Sequence, residues 1–72
     1  MVMLNGEERD CRAGSTIADL VEELGLGKRR IAVEVNRDIL PREEYVTYCI
    51  QPGDHIEIVQ FVGGGYLQRT EL

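Results

Sequence analysis

The stretch AGSTIADLVEELGL, residues 13–26, decides the fold because it predicts the main helix of the chain. Its aliphatic residues recur at i, i+3, i+4 and i+7, which is the spacing of a helix with one apolar face. These residues are Ile17, Leu20, Val21 and Leu24. Ser15 or Thr16 can act as the N-cap, since a side-chain hydroxyl accepts a hydrogen bond from a free amide of the first turn. Gly25 lies where many helices end with a left-handed glycine.

The residues that precede this helix predict a β-hairpin. An apolar run opens the chain and leads into Asn5-Gly6. Asn-Gly is the strongest short signal for a two-residue hairpin turn, because both residues tolerate positive φ. We therefore expect one strand over Val2–Asn5 and a second over Glu7–Cys11.

The residues that follow the helix predict further strands separated by turns. Ile31–Val35 is short and rich in β-branched residues, which favours a strand. Asn36–Asp38 is expected to turn the chain. Ile39 and Leu40 can then pair briefly, until Pro41 ends the pairing because it has no N–H to donate.

The last third of the chain predicts two turns and a long strand. Arg42–Tyr45 follows a proline and can form one helical turn. Gln51–Asp54 places proline and glycine at the central positions of a type II turn, and we expect Asp54 to shape that turn. His55–Val62 carries apolar residues on both faces, which predicts a central strand covered on both faces.

This order of elements predicts an α+β domain with four to five strands and one main helix. The 72 residues are enough for a single small domain. We expect this domain at residues 1–62, a flexible glycine arm at 63–65 and a C-terminal extension at 66–72. The chain from Gly63 onward is expected to be poorly ordered on its own, because nothing there can pack.

Composition excludes several classes of function. The net charge of −5 and the lack of a basic cluster argue against a nucleic-acid partner, and Lys28–Arg30 is expected to be a solvated loop. No apolar run is long enough to span a membrane. Cys11 and Cys49 fit neither a disulfide framework nor a zinc site, so we expect two reduced thiols packed as small hydrophobes in a cytoplasmic protein.

Candidate catalytic groups are few. His55 is the only histidine, and we expect it to be exposed at the start of a strand. Tyr45 and Tyr48 are expected in part of the core. The helix also carries acidic residues that are expected to form its solvated face: Asp19, Glu22 and Glu23. The sequence contains no nucleophile–base pair, metal cluster or phosphate loop, which argues against a stand-alone enzyme.

Four segments, in order, resemble the ThiS family of sulfur-carrier proteins. They are LNGEE at 4–8, AGSTIADLVEELGL at 13–26, IAVEVNRDILPREEY at 31–45 and IQPGDHIEIVQFVGGG at 50–65. The resemblance covers residues 1–65 and implies a β-grasp, or ubiquitin-like, fold. In this fold the sheet is mixed, with the first and last strands as parallel neighbours, and the main helix lies across one face. The related MoaD family, the carrier for molybdopterin, resembles the chain less, because its usual proline pair before the glycines is absent here.

The resemblance also implies a role. The chain would carry sulfur for thiazole formation in thiamin biosynthesis, as a co-substrate and not as an enzyme. A ThiF-like adenylating enzyme would use ATP to adenylate the carboxylate of Gly65. A persulfide protein would supply sulfur to form a thiocarboxylate, which a ThiG-like thiazole synthase would consume. The carrier itself would bind no cofactor or metal.

Gly63, Gly64 and Gly65 suit such an arm. Residues without Cβ can thread a narrow channel and adopt any backbone conformation that it demands, and three of them reach about 10 Å when extended. Taken by composition alone, they would be only a flexible linker. Phe61 and Val62 stand just before the arm, so a partner that encloses the arm would contact them. A core role alone and a combined core and interface role are equally expected.

The chain departs from the family pattern after Gly65, where Tyr66–Leu72 follows. Gly65 is bonded to Tyr66 and has no free carboxylate to adenylate. We expect a precursor that a peptidase cleaves after Gly65, although an added extension or a carrier that has lost transfer function would give the same sequence. Two other functions also stay open: a sulfur carrier for another pathway, of molybdopterin or cysteine type, and a non-covalent ubiquitin-like binding module.

Overall fold

The computed structural model describes residues 1–61 in full, together with the backbone of Val62 and of residues 66–69. The glycine arm at 63–65 and residues 70–72 lie outside the described residues. The elements are β1 (Val2–Leu4), β2 (Glu7–Arg9), α1 (Ile17–Glu23), β3 (Ile31–Val35), β4 (Asp38–Leu40), a 3-10 turn (Arg42–Glu44), β5 (His55–Val62) and β6 (Tyr66–Arg69).

The strands form one mixed sheet in the order β2-β1-β5-β3-β4, with β6 paired to β5. β1 runs parallel to β5, so that Met3 lies opposite His55 and Leu4 opposite Ile56. The remaining pairs are antiparallel. The predicted α+β class and the parallel pairing of the first strand with the strand over His55–Val62 are therefore confirmed.

Both short hairpins turn through residues with positive φ. Asn5 and Gly6 have φ of 49° and 84°, as the Asn-Gly signal predicts. Asn36 and Arg37 have φ of 52° and 72° and join β3 to β4. Because only glycine and asparagine adopt this region readily, Arg37 holds a strained backbone in that turn.

Helix α1 begins at a capping box. Thr16 Oγ1 accepts a hydrogen bond from the Asp19 amide at 3.1 Å, and Asp19 Oδ2 accepts one from the Thr16 amide at 3.0 Å. Asp19, predicted only as part of the solvated face, therefore closes the N-terminus of the helix. After the C-cap residue Leu24, Gly25 has a φ of 74°, which confirms it as the terminating glycine.

The core lies between α1 and one face of the sheet. Its most completely buried side chains come from the helix and the two central strands: Ile17, Val33, Ile56 and Ile58. Ile56 and Ile58 of β5 face this core, whereas His55 and Phe61 on the opposite face are exposed. The prediction that β5 is central is confirmed, but the prediction that both faces are covered is wrong: α1 covers one face, and in the described part of the chain His55 and Phe61 are exposed on the other.

Two further expectations are corrected. Residues 66–69 were expected to be poorly ordered, yet their backbone forms β6 opposite Val59–Val62. The ladder supplies backbone hydrogen bonds where side-chain packing was not expected. Cys11 is partly buried against the core as predicted, but Cys49 is exposed and is not a core hydrophobe.

Candidate functional site

The candidate site is the end of β5, from which the chain runs into the glycine arm. β5 lies between β1 and β3: β1 pairs with its first two residues, and β3 pairs with it from Ile56 to Gln60. It therefore forms a rigid base for any segment that follows Val62. The working residues predicted for the arm, Gly63, Gly64 and Gly65, lie outside the described residues and stay predictions.

Phe61 lies on the open face of the sheet, the face opposite α1. Its side chain is 41% exposed, which excludes the interpretation that it serves only the core. The guanidinium carbon of Arg30 lies 5.4 Å from the centroid of the Phe61 ring, within range of a cation–π interaction. The Phe61 amide also donates to the Arg30 carbonyl at 3.0 Å. Arg30 was predicted only as part of a solvated loop, and no local sequence signal connects it to Phe61.

A small apolar surface continues from Phe61 along the open face. Val59 lies two residues before Phe61 and is opposite Ala32 on β3, and both are half-buried. We call Ala32, Val59 and Phe61 the open-face patch. Glu34 and Glu57 lie directly opposite each other further along the same two strands, so the face becomes acidic away from the arm.

The start of β5 is held by a buried carboxylate. Asp54, 6% exposed, accepts hydrogen bonds at Oδ2 from the Gln51 amide at 2.9 Å and from the Tyr48 hydroxyl at 2.8 Å. Asn36 Nδ2 donates to Oδ1 at 3.0 Å. Asp54 thus shapes the turn, as predicted, and also joins that turn to the β3–β4 hairpin. Tyr45 is buried and Tyr48 half-buried, which confirms their predicted place in part of the core.

These contacts move two pKa values. Burial alone would raise the pKa of Asp54, but the hydrogen bonds from Gln51, Asn36 and Tyr48 outweigh it and lower the pKa below its ordinary value. Burial, together with the hydrogen bond to Asp54 and its charge, raises the pKa of Tyr48 to about 12. Asp54 is therefore charged and Tyr48 neutral at neutral pH, which is the state that this arrangement requires.

Asn5 contacts the edge of β5 that faces β1. Its side-chain Nδ2 donates to the Ile58 carbonyl at 3.2 Å, and its Oδ1 accepts from the Ile58 amide at 2.7 Å. The side chain thereby imitates one more residue of β1, beyond the point at which the hairpin turns away. Sequence reasoning placed Asn5 at the end of the first strand and in the Asn-Gly turn, and missed this contact because its partner is 53 residues away.

The remaining candidate groups include His55 and Cys11. His55 is exposed as predicted, and its amide donates to Asn36 Oδ1 at 2.9 Å. Burial raises the pKa of the Cys11 thiol, which disfavours a reactive thiolate. Within the described residues no group of three His, Cys, Asp or Glu side chains could hold a metal ion. The same part of the chain has no helix long and apolar enough to cross a membrane.

The strand order, the single helix and the strand that leads into the glycines define a small ubiquitin-like domain with the β-grasp fold. The family model of the ThiS family matches residues 2–65. The chain therefore belongs to the ThiS family, and the resemblance of its four sequence segments is confirmed.

Known proteins agree with this assignment. The sulfur carrier protein ThiS of Bacillus subtilis is 38% identical over 66 residues, which cover 90% of this chain and 100% of that protein. The crystal structure of the thiamine biosynthesis protein ThiS from Geobacter metallireducens matches with a TM-score of 0.73 and 27% identity, covering 89% of this chain and 97% of that one.

Similarity also extends to longer proteins. A thiazole synthase of Paramagnetospirillum magneticum is 44% identical over 64 residues, which cover 89% of this chain. The chain spans only 20% of the length of that protein, and the same share of a second thiazole synthase, from Magnetococcus marinus.

Proposed function

We propose that this chain is a sulfur carrier for thiazole formation in thiamin biosynthesis, with the carboxylate of Gly65 as its working group. The observation that carries the proposal is that the ThiS family match ends at Gly65, the last of the three glycines that follow β5. The match to sulfur carrier protein ThiS of Bacillus subtilis, which this chain covers completely, supports the same role.

The chemistry is carried out by partners. A ThiF-like enzyme transfers AMP from ATP to the Gly65 carboxylate and releases pyrophosphate, which turns a poor electrophile into an acyl-adenylate. A persulfide protein delivers sulfur to the acyl carbon, AMP leaves, and a thiol reduces the resulting acyl disulfide to the thiocarboxylate. The carrier contributes the reacting carbon and a rigid base that presents it, so it acts as a co-substrate and not as an enzyme.

A ThiG-like thiazole synthase is the proposed acceptor of the sulfur. The support is that a segment similar to this chain is part of each of two proteins named thiazole synthase. Proteins that act on one another in sequence are often joined in a single chain, since linkage raises their effective concentration.

The bond between Gly65 and Tyr66 must be broken before charging, because an amide has no carboxylate to adenylate. We propose that a peptidase hydrolyses this bond and releases Tyr66–Leu72. The new terminus, a glycine without Cβ, leaves the acyl carbon accessible to the attacking sulfur. Phe61, exposed at the base of the arm, would then meet the partner that encloses the arm.

The test is the intact mass of three forms after incubation with ATP, a ThiF-like enzyme and a persulfide donor. The forms are the full chain, the chain ending at Gly65, and the chain ending at residue 65 with Gly65→Ala as the matched control. Only the form ending at Gly65 should gain the mass difference between sulfur and oxygen in high yield. If that form stays unchanged while the enzyme charges another carrier, the proposal fails and a non-covalent binding role replaces it.

A further inference from the structure

The two backbone edges of β5 have different neighbours. On one edge, the Phe61 amide donates to the Arg30 carbonyl and the His55 carbonyl accepts from the Asn36 amide. The backbone N–H and C=O groups of the odd-numbered residues therefore point to β3. On the other edge, the Asp54 carbonyl accepts from the Met3 amide and the Ile56 carbonyl accepts from the Asn5 amide. The backbone groups of the even-numbered residues therefore point to β1. The backbone groups of Gln60 and Val62 therefore point to the edge that β1 occupies.

β1 does not extend as far as Gln60. Its pairing with β5 ends at Ile56, and the Asn5 side chain occupies the backbone amide and carbonyl of Ile58. Beyond Asn5, the hairpin to β2 leads the chain away from β5. The edge over Gln60–Val62 is thus left without β1, immediately before the glycine arm.

In the full chain, β6 pairs with this part of β5. Gln68 lies opposite Gln60 and Tyr66 opposite Val62, in antiparallel register. β3 already pairs with Gln60 and Val59 from the other side, opposite Ile31 and Ala32. β6 must therefore lie on the same edge as β1 and Asn5, and the segment shows that this edge accepts an extended antiparallel strand.

We propose that the edge of β5 over Gln60–Val62 is a docking edge for an extended segment of the adenylating enzyme, and that residues 66–69 occupy it until they are removed. This rests on the proposed function. An edge with free N–H and C=O groups is a template for strand addition. Pairing of this edge with the enzyme segment would direct the glycine arm, which follows Val62 in the chain, along the enzyme. One edge cannot hold β6 and a partner segment together, so the extension blocks docking as well as the carboxylate.

Proline substitutions in β6 separate pairing from chain length. The amides of Tyr66 and Gln68 face β5, since these residues pair with the even-numbered residues whose backbone groups point to that edge. Gln68→Pro therefore removes a ladder donor and keeps the full length of the extension. Leu67→Pro is the matched control, because the amide at position 67 points away from β5.

Amide hydrogen exchange tests, without any partner, whether β6 occupies the docking edge. The amides of Gln60 and Val62 should be protected in the full chain and in Leu67→Pro. They should exchange at least about fivefold faster in Gln68→Pro and in the chain ending at Gly65, as expected for the loss of one backbone hydrogen bond. The Phe61 amide, which faces β3, should stay protected in all four forms. Unchanged exchange at Gln60 and Val62 after truncation would show that β6 does not occupy this edge and would contradict the proposal.

Binding to the adenylating enzyme without ATP tests the docking edge. The chain ending at Gly65 and Gln68→Pro should bind at least about fivefold more tightly than the full chain and Leu67→Pro. In the complex, the Gln60 and Val62 amides of the truncated chain should be protected again. Fast exchange at these amides in the complex, or Gln68→Pro binding as weakly as the full chain, contradicts the inference. If charging fails while these binding results hold, the proposed function is contradicted and the docking edge is not.

Discussion

Asn36 and Asp54, 18 residues apart in the chain, are joined by a hydrogen bond of 3.0 Å from Asn36 Nδ2 to Asp54 Oδ1. Asn36 Oδ1 also accepts from the His55 amide at 2.9 Å. One side chain therefore connects the β3–β4 turn to the first residue of β5. Both residues belong to the sequence segments that resemble the ThiS family, and the structure gives them a role in holding the start of β5, at the end opposite Val62.

Replacement of Asn36 should separate its two contributions. Asn36→Gly keeps the φ of 52° accessible but removes both hydrogen bonds, and should lower the free energy of unfolding by about 1–3 kcal/mol. Asn36→Ala should cost about 1–2 kcal/mol more, because alanine is strained at positive φ. Urea unfolding measures both values. Equal stability of the two variants would show that the backbone conformation contributes nothing.

The low pKa of Asp54 predicts a pH dependence of stability. A carboxyl whose pKa is depressed in the folded state contributes stability above its ordinary value of 3.8, and this stability is lost as the pH falls through the folded pKa. The difference in unfolding free energy between the native chain and Asp54→Asn should therefore shrink as the pH falls below that ordinary value and through the lower folded pKa. Tyr48→Phe removes one donor, should raise the pKa of Asp54, and should move the loss to higher pH. A difference that stays constant with pH would contradict this role of Asp54.

The capping box should matter because α1 is only seven residues long. Thr16→Ala should lower the free energy of unfolding by about 0.5–2 kcal/mol, since it leaves the Asp19 amide without its acceptor. Thr16→Ser keeps a hydroxyl in the same place and should lose much less. Thermal unfolding followed by circular dichroism compares the two, and an equal loss in both would show that the hydrogen bond is unimportant.

Gly25 tests backbone strain in isolation. A Cβ added at this position would meet nothing within 4 Å, so Gly25→Ala creates no clash. Its φ of 74° should nevertheless make alanine cost about 1–2 kcal/mol. Gly25→Asn should cost less, because asparagine tolerates the left-handed region. Chemical denaturation measures both, and an alanine variant as stable as the native chain would exclude strain at this cap.

Phe61 should act on partner binding more than on stability. Its side chain is 41% exposed, so Phe61→Ala should unfold at nearly the same denaturant concentration as the native chain. In the chain ending at Gly65, the same change should weaken binding to the adenylating enzyme by about 1 kcal/mol or more, roughly fivefold in Kd. Val46→Ala is the matched control, since Val46 is a 68% exposed apolar residue that is not part of β5. Equal effects of the two changes on Kd would remove Phe61 from the interface.

Most of the fold could be predicted from the sequence, because its signals are local. The Asn5-Gly6 turn, the helix from Ile17 and the glycine at position 25 all depend on residues close to one another in the chain. Boundaries were less accurate: β2 ends at Arg9, whereas the prediction extended to Cys11. Neither the exposure of Cys49 nor the ring contact of Arg30 has a local signal, and both were missed.

The sequence by itself determined which residues turn, which form the helix and which lead into the glycines, since φ preference and hydrophobic period act over a few residues. Only the tertiary structure decided what depends on register between distant segments. Such features include the bond from Asn36 to Asp54, the Asn5 contact with Ile58, and the open face that leaves Phe61 exposed. The physical reason is that a hydrogen bond or a ring contact requires two groups within a few ångströms of each other. That proximity is set by how the whole sheet assembles.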